Sequence, residues 1–154
     1  MINLIHWLAS RERKRPCTTV VLHATAGGTL WGAISTLRLK GLSYHYLIDK
    51  DGTVTKCVPY SRVAFHAGKS FGPSGSNVNG YSVGISFVNR NDGIDPYTIR
   101  QIDECRLLIA DLEAAIPTLK YLTTHYAISP KRKTDPKKFP CASVKNGLTM
   151  WGCK

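Results

Sequence analysis

Two short apolar runs that each close on a histidine set the frame of this chain. Thr18-Thr19-Val20-Val21-Leu22 is a β-branched run ending in His23, and Leu119–Thr124 leads into His125. Runs of this kind read as strands covered on both faces, so helices must flank the sheet they join. The intervening sequence supplies them. Thr29 can N-cap a helix over residues 30–40 that Gly41 stops. Ile99, Ile102, Cys105, Ile109, Leu112 and Ile116 recur at helical spacing over residues 97–116, opened by Asp95-Pro96 and ended by Pro117. Further strands are expected at Tyr44–Ile48 and Thr53–Val58, around an Asp51-Gly52 turn, and at Tyr81–Asn89. Residues 66–80 are a Gly-rich loop, and residues 126–154 show no clear period. Strands interleaved with two helices predict an α/β fold: a single domain with a central mixed β-sheet flanked by helices.

Charge is the unusual part of the composition. In 154 residues, 21 Lys and Arg stand against 10 Asp and Glu, a net charge of +11, while an apolar fraction of 43% is ordinary for a globular chain. Such a balance points to an anionic partner: nucleic acid, an acidic polymer or a membrane face. The clusters Arg11–Arg15 and Lys131-Arg132-Lys133 with Lys137-Lys138 read as solvated faces. No stretch approaches the roughly 20 apolar residues that span a bilayer. Met1–Ala9 lacks the charged start and the length of a secretory signal. Residues 1–17 read as a basic N-terminal extension, helical, with Ile2, Ile5 and Leu8 on one face; residues 18–154 read as the functional domain. Five cysteines, at 17, 57, 105, 141 and 153, form no C-x-x-C pair and read as reduced thiols. Whether Cys141 and Cys153 pair is left open.

Side chains at strand ends project into the crevice where sheet proteins place ligands. His23 and His125 both sit there, and Asp135 follows in a Pro- and Lys-rich loop. Two imidazoles and a carboxylate suit Zn²⁺ with a fourth position open to water, whose pKa such a metal lowers to about 7. Two hydrogen-bonded structural histidines would fit the same residues.

Five segments, in order, resemble the type 2 N-acetylmuramoyl-L-alanine amidases, the family that includes the phage lysozyme-type amidases and the peptidoglycan recognition proteins. They are Val21-Leu22-His23-Ala24-Thr25-Ala26-Gly27, Ser43-Tyr44-His45-Tyr46-Leu47-Ile48-Asp49-Lys50-Asp51-Gly52-Thr53-Val54, Ala64-Phe65-His66-Ala67-Gly68, Asn79-Gly80-Tyr81-Ser82-Val83-Gly84-Ile85, and Thr124-His125 with Ile128–Pro136. The resemblance implies a peptidoglycan recognition protein-like amidase fold, with residues 18–154 as a zinc amidase domain. It implies Zn²⁺ on His23, His125 and Asp135, with Asp where many phage members carry Cys; Cys141 lies too far along to serve. It places Lys133 as the oxyanion-stabilising residue, Tyr44 beside the attacking water, and His66, Asn79 and Thr25 against substrate. In a strand, Tyr44 and Tyr46 would face one way and His45 the other. One departure stands out. Some bacterial members carry a general-base Glu where this chain has Ser86, so the proton would pass through Tyr44 and water.

The implied activity is hydrolysis of the amide between N-acetylmuramic acid and L-alanine in bacterial peptidoglycan. The implied setting is a monomeric phage endolysin, held in the host cytoplasm until release to the wall, with its charge drawing it to an anionic outer-membrane surface. The alternatives are a non-catalytic peptidoglycan-binding module and a bacterial wall-recycling amidase. A specific nucleic-acid partner is not expected, since only charge suggests one.

Overall fold

The computed structural model describes residues 8–153. Its elements run β1 (Ser10–Glu12), β2 (Thr19–Ala24), α1 (Leu30–Lys40), β3 (Tyr46–Ile48), β4 (Val54–Lys56), β5 (Arg62–Ala64), β6 (Phe71–Gly72), β7 (Gly75–Ser76), β8 (Ser82–Phe87), α2 (Ile99–Ala115), β9 (Tyr121–Thr124), α3 (His125–Ile128) and β10 (Thr149–Met150). Six strands form one mixed sheet in the order β10-β9-β2-β8-β3-β4. The apolar run ending at His23 lies near its centre, parallel to β8 on one side and β9 on the other. Only β4 runs antiparallel to its neighbour, as a hairpin with β3. No helix among the described residues is long and apolar enough to cross a membrane.

Alternation along the strands divides the core into layers. Val20, Leu22, Ile85, Phe87 and Ile48 meet Cys105, Leu108, Ile109 and Leu112 of α2 on one face. On the other, Leu47 and Val88 meet Leu30, Ile34 and Leu37 of α1, with Leu8 closing that cluster. Next to it, Val21 packs with Ala67, Val78, Tyr81 and Ile128. His23 lies on the α1 side of the sheet, since it shares its face with Val21 and not with Leu22.

Several expectations are corrected. The described part of the N-terminal extension is not helical: β1 pairs antiparallel with β5, while residues 1–7 lie outside the described residues. The basic cluster there is only in part a solvated face: Lys14 is exposed, but its neighbours are engaged. Arg13 donates to the carbonyls of Tyr60 (3.0 Å), Gly80 (3.2 Å), Arg62 (3.0 Å) and Ser82 (2.9 Å), and Arg15 stacks on Tyr81. The cap of α2 is Thr98 in a reciprocal capping box with Gln101, because the Asp95 carboxylate is taken by Lys50 at 2.8 Å and the Arg90 N–H. Ile99 is exposed, and Gln101 takes the buried place, donating to the Ile48 and Val88 carbonyls. Tyr44 precedes β3, and a bend at His45 breaks the alternation. Tyr44 thus faces the α1 side and Tyr46 the α2 side.

Arg13 ties the segment after β1 to β5 and the start of β8 through its bonds to four carbonyls. Arg13→Met should cost roughly 2–3 kcal/mol, read as a lower urea midpoint at unchanged slope.

Candidate active site

Three elements bring the site together. His23 is the penultimate residue of β2, opposite Ser86 in the parallel ladder with β8. His125 opens α3, where Thr124 caps the turn by accepting the Ala127 N–H. Asp135 is delivered by the following loop, whose Asp135 carbonyl accepts the Tyr126 N–H at 2.9 Å. The Ala24 N–H holds the carboxylate at 3.1 Å.

His23, His125 and Asp135, all buried, are the candidate metal group among the described residues. The two Nδ1 atoms are 3.0 Å apart. Asp135 Oδ1 lies 3.2 Å from His125 Nδ1, and Oδ2 lies 3.5 Å from His23 Nδ1. Donors around a tetrahedral zinc at about 2.0–2.1 Å stand roughly 3.3 Å from one another, so this set fits the ion. The outer nitrogens are partnered as metal-bound imidazoles require. His125 Nε2 meets the Ala67 carbonyl at 3.2 Å, and His23 Nε2 meets His66 Nδ1 at 2.9 Å.

The electrostatics agree with a donor set ready for a cation. Burial, with His125 adding to it, lowers His23 to about 4, so its ring is neutral near pH 7. Burial opposes ionisation of Asp135, but the close approach of the His125 and His23 rings outweighs it and holds the carboxyl well below its usual range. Burial and the Asp135 charge push Tyr44 up to about 12, with the Ser86 hydroxyl pulling the other way. The Tyr44 ring lies 5.0 Å from that of His23. The Ser86–Tyr44 contact is too loose for a regular hydrogen bond, and Ser86 Oγ stays buried without one.

The site opens into a cleft of about 620 Å³ between α1 and the 132–135 segment. Of the residues expected to work there, Tyr44, Lys133 and Thr25 line it with His125 and Asp135. The Lys133 ammonium makes no hydrogen bond or ion pair with the described residues, while its backbone N–H is held by Ser129. Thr25 Oγ1 accepts the Asn89 N–H at 3.3 Å, so its hydroxyl is partly committed to the loop.

His66 and Asn79, expected against substrate, are set back from the cleft. His66 is buried behind His23, and Asn79 Oδ1 accepts the backbone N–H groups of His66 and Ala67 at 3.0 and 2.8 Å. Neither lines the cleft. Sequence reasoning also missed Arg132, placed with the solvated basic run. Its guanidinium donates to the Ala67 carbonyl (2.8 Å), the Lys69 carbonyl and Ser129 Oγ. Gly68, at φ +59°, leaves the space that this group fills.

A family model described as N-acetylmuramoyl-L-alanine amidase (Amidase_2) matches residues 13–138. The chain belongs to this family. AmpD of Enterobacter cloacae, a 1,6-anhydro-N-acetylmuramyl-L-alanine amidase, is 36% identical over 98 residues, covering 62% of this chain and 50% of that protein. The chain thus spans about half the length of the curated relatives it matches. Among solved structures of amidases, AmiD from E. coli in complex with anhydro-N-acetylmuramic acid-L-Ala-D-gamma-Glu-L-Lys superposes with a TM-score of 0.76 at 28% identity, over 90% of this chain and 60% of that one. The fold is shared with drosophila peptidoglycan recognition protein SD, at TM-score 0.67 and 21% identity over 92% and 88% of the chains.

Two measurements test this site. Elemental analysis of protein purified with zinc should find the metal, and His23→Ala should lose it; an unchanged zinc-to-protein ratio in that variant would refute His23 as a ligand. The second concerns pH. His23 at about 4 and His45, lowered by burial to about 3, are neutral when folded and titrate near 6.5 when unfolded. Below pH 6.5 the unfolded chain therefore binds more protons, and stability falls by about 1.4 kcal/mol per pH unit for each ring. Urea unfolding of chelator-treated protein between about pH 7 and pH 5 should show this acid-side loss.

Proposed function

We propose that the protein is a zinc-dependent amidase that cuts the bond between N-acetylmuramic acid and L-alanine in bacterial peptidoglycan, acting as an endolysin. The observation that carries this reading is the convergence of His23, His125 and Asp135 at donor spacings of 3.0–3.5 Å, with His125 and Asp135 on the wall of a cleft that Lys133 and Tyr44 also line and His23 buried behind it. A zinc ion held by those three side chains supplies Lewis acidity for the scissile carbonyl and for the attacking water.

The chain's own groups do the rest. The carbonyl oxygen gains negative charge as the tetrahedral centre forms, and Lys133, whose charge lies near His23 and has no partner among the described residues, is the cleft cation that can meet it. Its half-buried position strengthens that attraction relative to open water. Tyr44, raised to about 12, keeps its proton at neutral pH. It therefore works as a donor: its hydroxyl protonates the departing nitrogen while taking up the proton that the attacking water releases. Ser86 is the wrong chemistry for a base at neutral pH, which leaves this relay to Tyr44. The peptidoglycan wall as substrate is supported by the +11 charge, suited to an anionic envelope.

A second reading has its own support. The AmpD relative is by name an amidase of 1,6-anhydro-N-acetylmuramyl-L-alanine, so a soluble anhydromuramyl peptide, as in wall recycling, is the competing substrate. Turbidity loss of outer-membrane-stripped cells, set beside chromatography of the soluble peptide after digestion, separates the two. Cleavage of the soluble peptide without lysis would favour the recycling amidase, and activity on neither would favour a binding module. A chelator should abolish whichever activity is found, and added zinc should restore it. Lys133→Ala should keep zinc yet lose 10²–10³-fold in rate, about 2.7–4 kcal/mol. A near wild-type rate would refute its role.

A further inference from the structure

We infer that His66 is a positioning residue: it accepts the Nε2 proton of His23 and so turns the His23 Nδ1 lone pair toward the metal. This rests on the reading of His23, His125 and Asp135 as ligands, and extends it to a residue outside the cleft.

The polarity of the network follows from the partners. The outer nitrogen of His125 faces a backbone carbonyl, which can only accept, so His125 carries its proton on Nε2 and presents Nδ1. Among the described residues His23 has no such carbonyl. Its Nδ1 shares the centre with His125 Nδ1 and Asp135, so its proton sits on Nε2, where the polar neighbour among those residues is His66 Nδ1 at 2.9 Å. His66 then holds its own proton on Nε2, and Ser82 Oγ, at 3.1 Å, accepts it. A hydroxyl suits that terminus because it can turn to accept.

The ring is built in place. Asn79 Oδ1 takes both the His66 and Ala67 N–H groups. The imidazole lies flat on Gly84: a Cβ there would stand 2.6 Å from His66 Cγ. The ring meets that of His23 edge-on, at 90° and 4.9 Å between centroids. One short segment thus serves both imidazole ligands, His23 through the His66 side chain and His125 through the Ala67 carbonyl.

The test compares zinc affinity, by competition with a chromophoric chelator, in the wild type, His66→Phe and His66→Gln. Phe keeps a ring over Gly84 without its nitrogens; Gln restores an acceptor toward His23 and a donor toward Ser82. The expected result is a loss of about 10–100-fold in affinity for His66→Phe, most of it recovered in His66→Gln. The visible bands of cobalt-substituted protein should shift in the Phe variant and return in the Gln variant. Wild-type affinity in His66→Phe, or equal losses in both variants, would overturn the inference. A third measurement needs no variant to fold: ¹⁵N NMR of the zinc-loaded wild type should find the His66 proton on Nε2, and a proton on Nδ1 overturns the inference. A wild type that binds no zinc overturns the metal reading and this inference with it; zinc binding that ignores His66→Phe overturns the inference alone.

Discussion

A neutral imidazole in a dry interior needs a partner of the right polarity on each nitrogen, and His23, fully buried, sets that demand at the centre of this molecule. Its outer nitrogen reaches back to His66, which lies over β8 and ends on Ser82. Its inner nitrogen reaches forward to the ligand centre. The parallel pairing of β2 with β8 makes this possible, because the register sets Ser82, Gly84 and Ser86 on the same face as Thr19, Val21 and His23. Two of those residues support the histidine chain, and the third lies beside it. The sheet is thus both the fold's core and the template for the site.

Much of this was legible in the sequence, because most of the signals are local. The β2 run, the Thr29 cap and the Gly41 stop each carry their own physics and appear where expected. The meeting of His23, His125 and Asp135 was legible through strand ends and motif order. What stayed hidden depends on distant partners. Asp95 has the chemistry of a helix cap, but Lys50 and the Arg90 N–H claim it, and Thr98 caps instead. β5 and β10 are too short to show a period. Tyr44 and Tyr46 part company because a bend at His45, which no alternation rule anticipates, turns them to opposite faces.

The positive charge divides into different kinds of work. Arg13 and Arg132 spend theirs on backbone carbonyls of loops and strand ends. Lys50 is used up in an ion pair. Lys133 is left facing the cleft without one. Counting charges could not separate these cases, since the Arg11–Arg15 and Lys131–Lys133 clusters each mix structural and unpaired groups.

Gly84 and His66 occupy one volume: the imidazole fills the space where any other residue would place its Cβ. The two positions are therefore a single lock in two parts. A side chain at 84 would displace the ring at 66, and with it the partner of His23, so what position 84 can hold depends on what stands at 66.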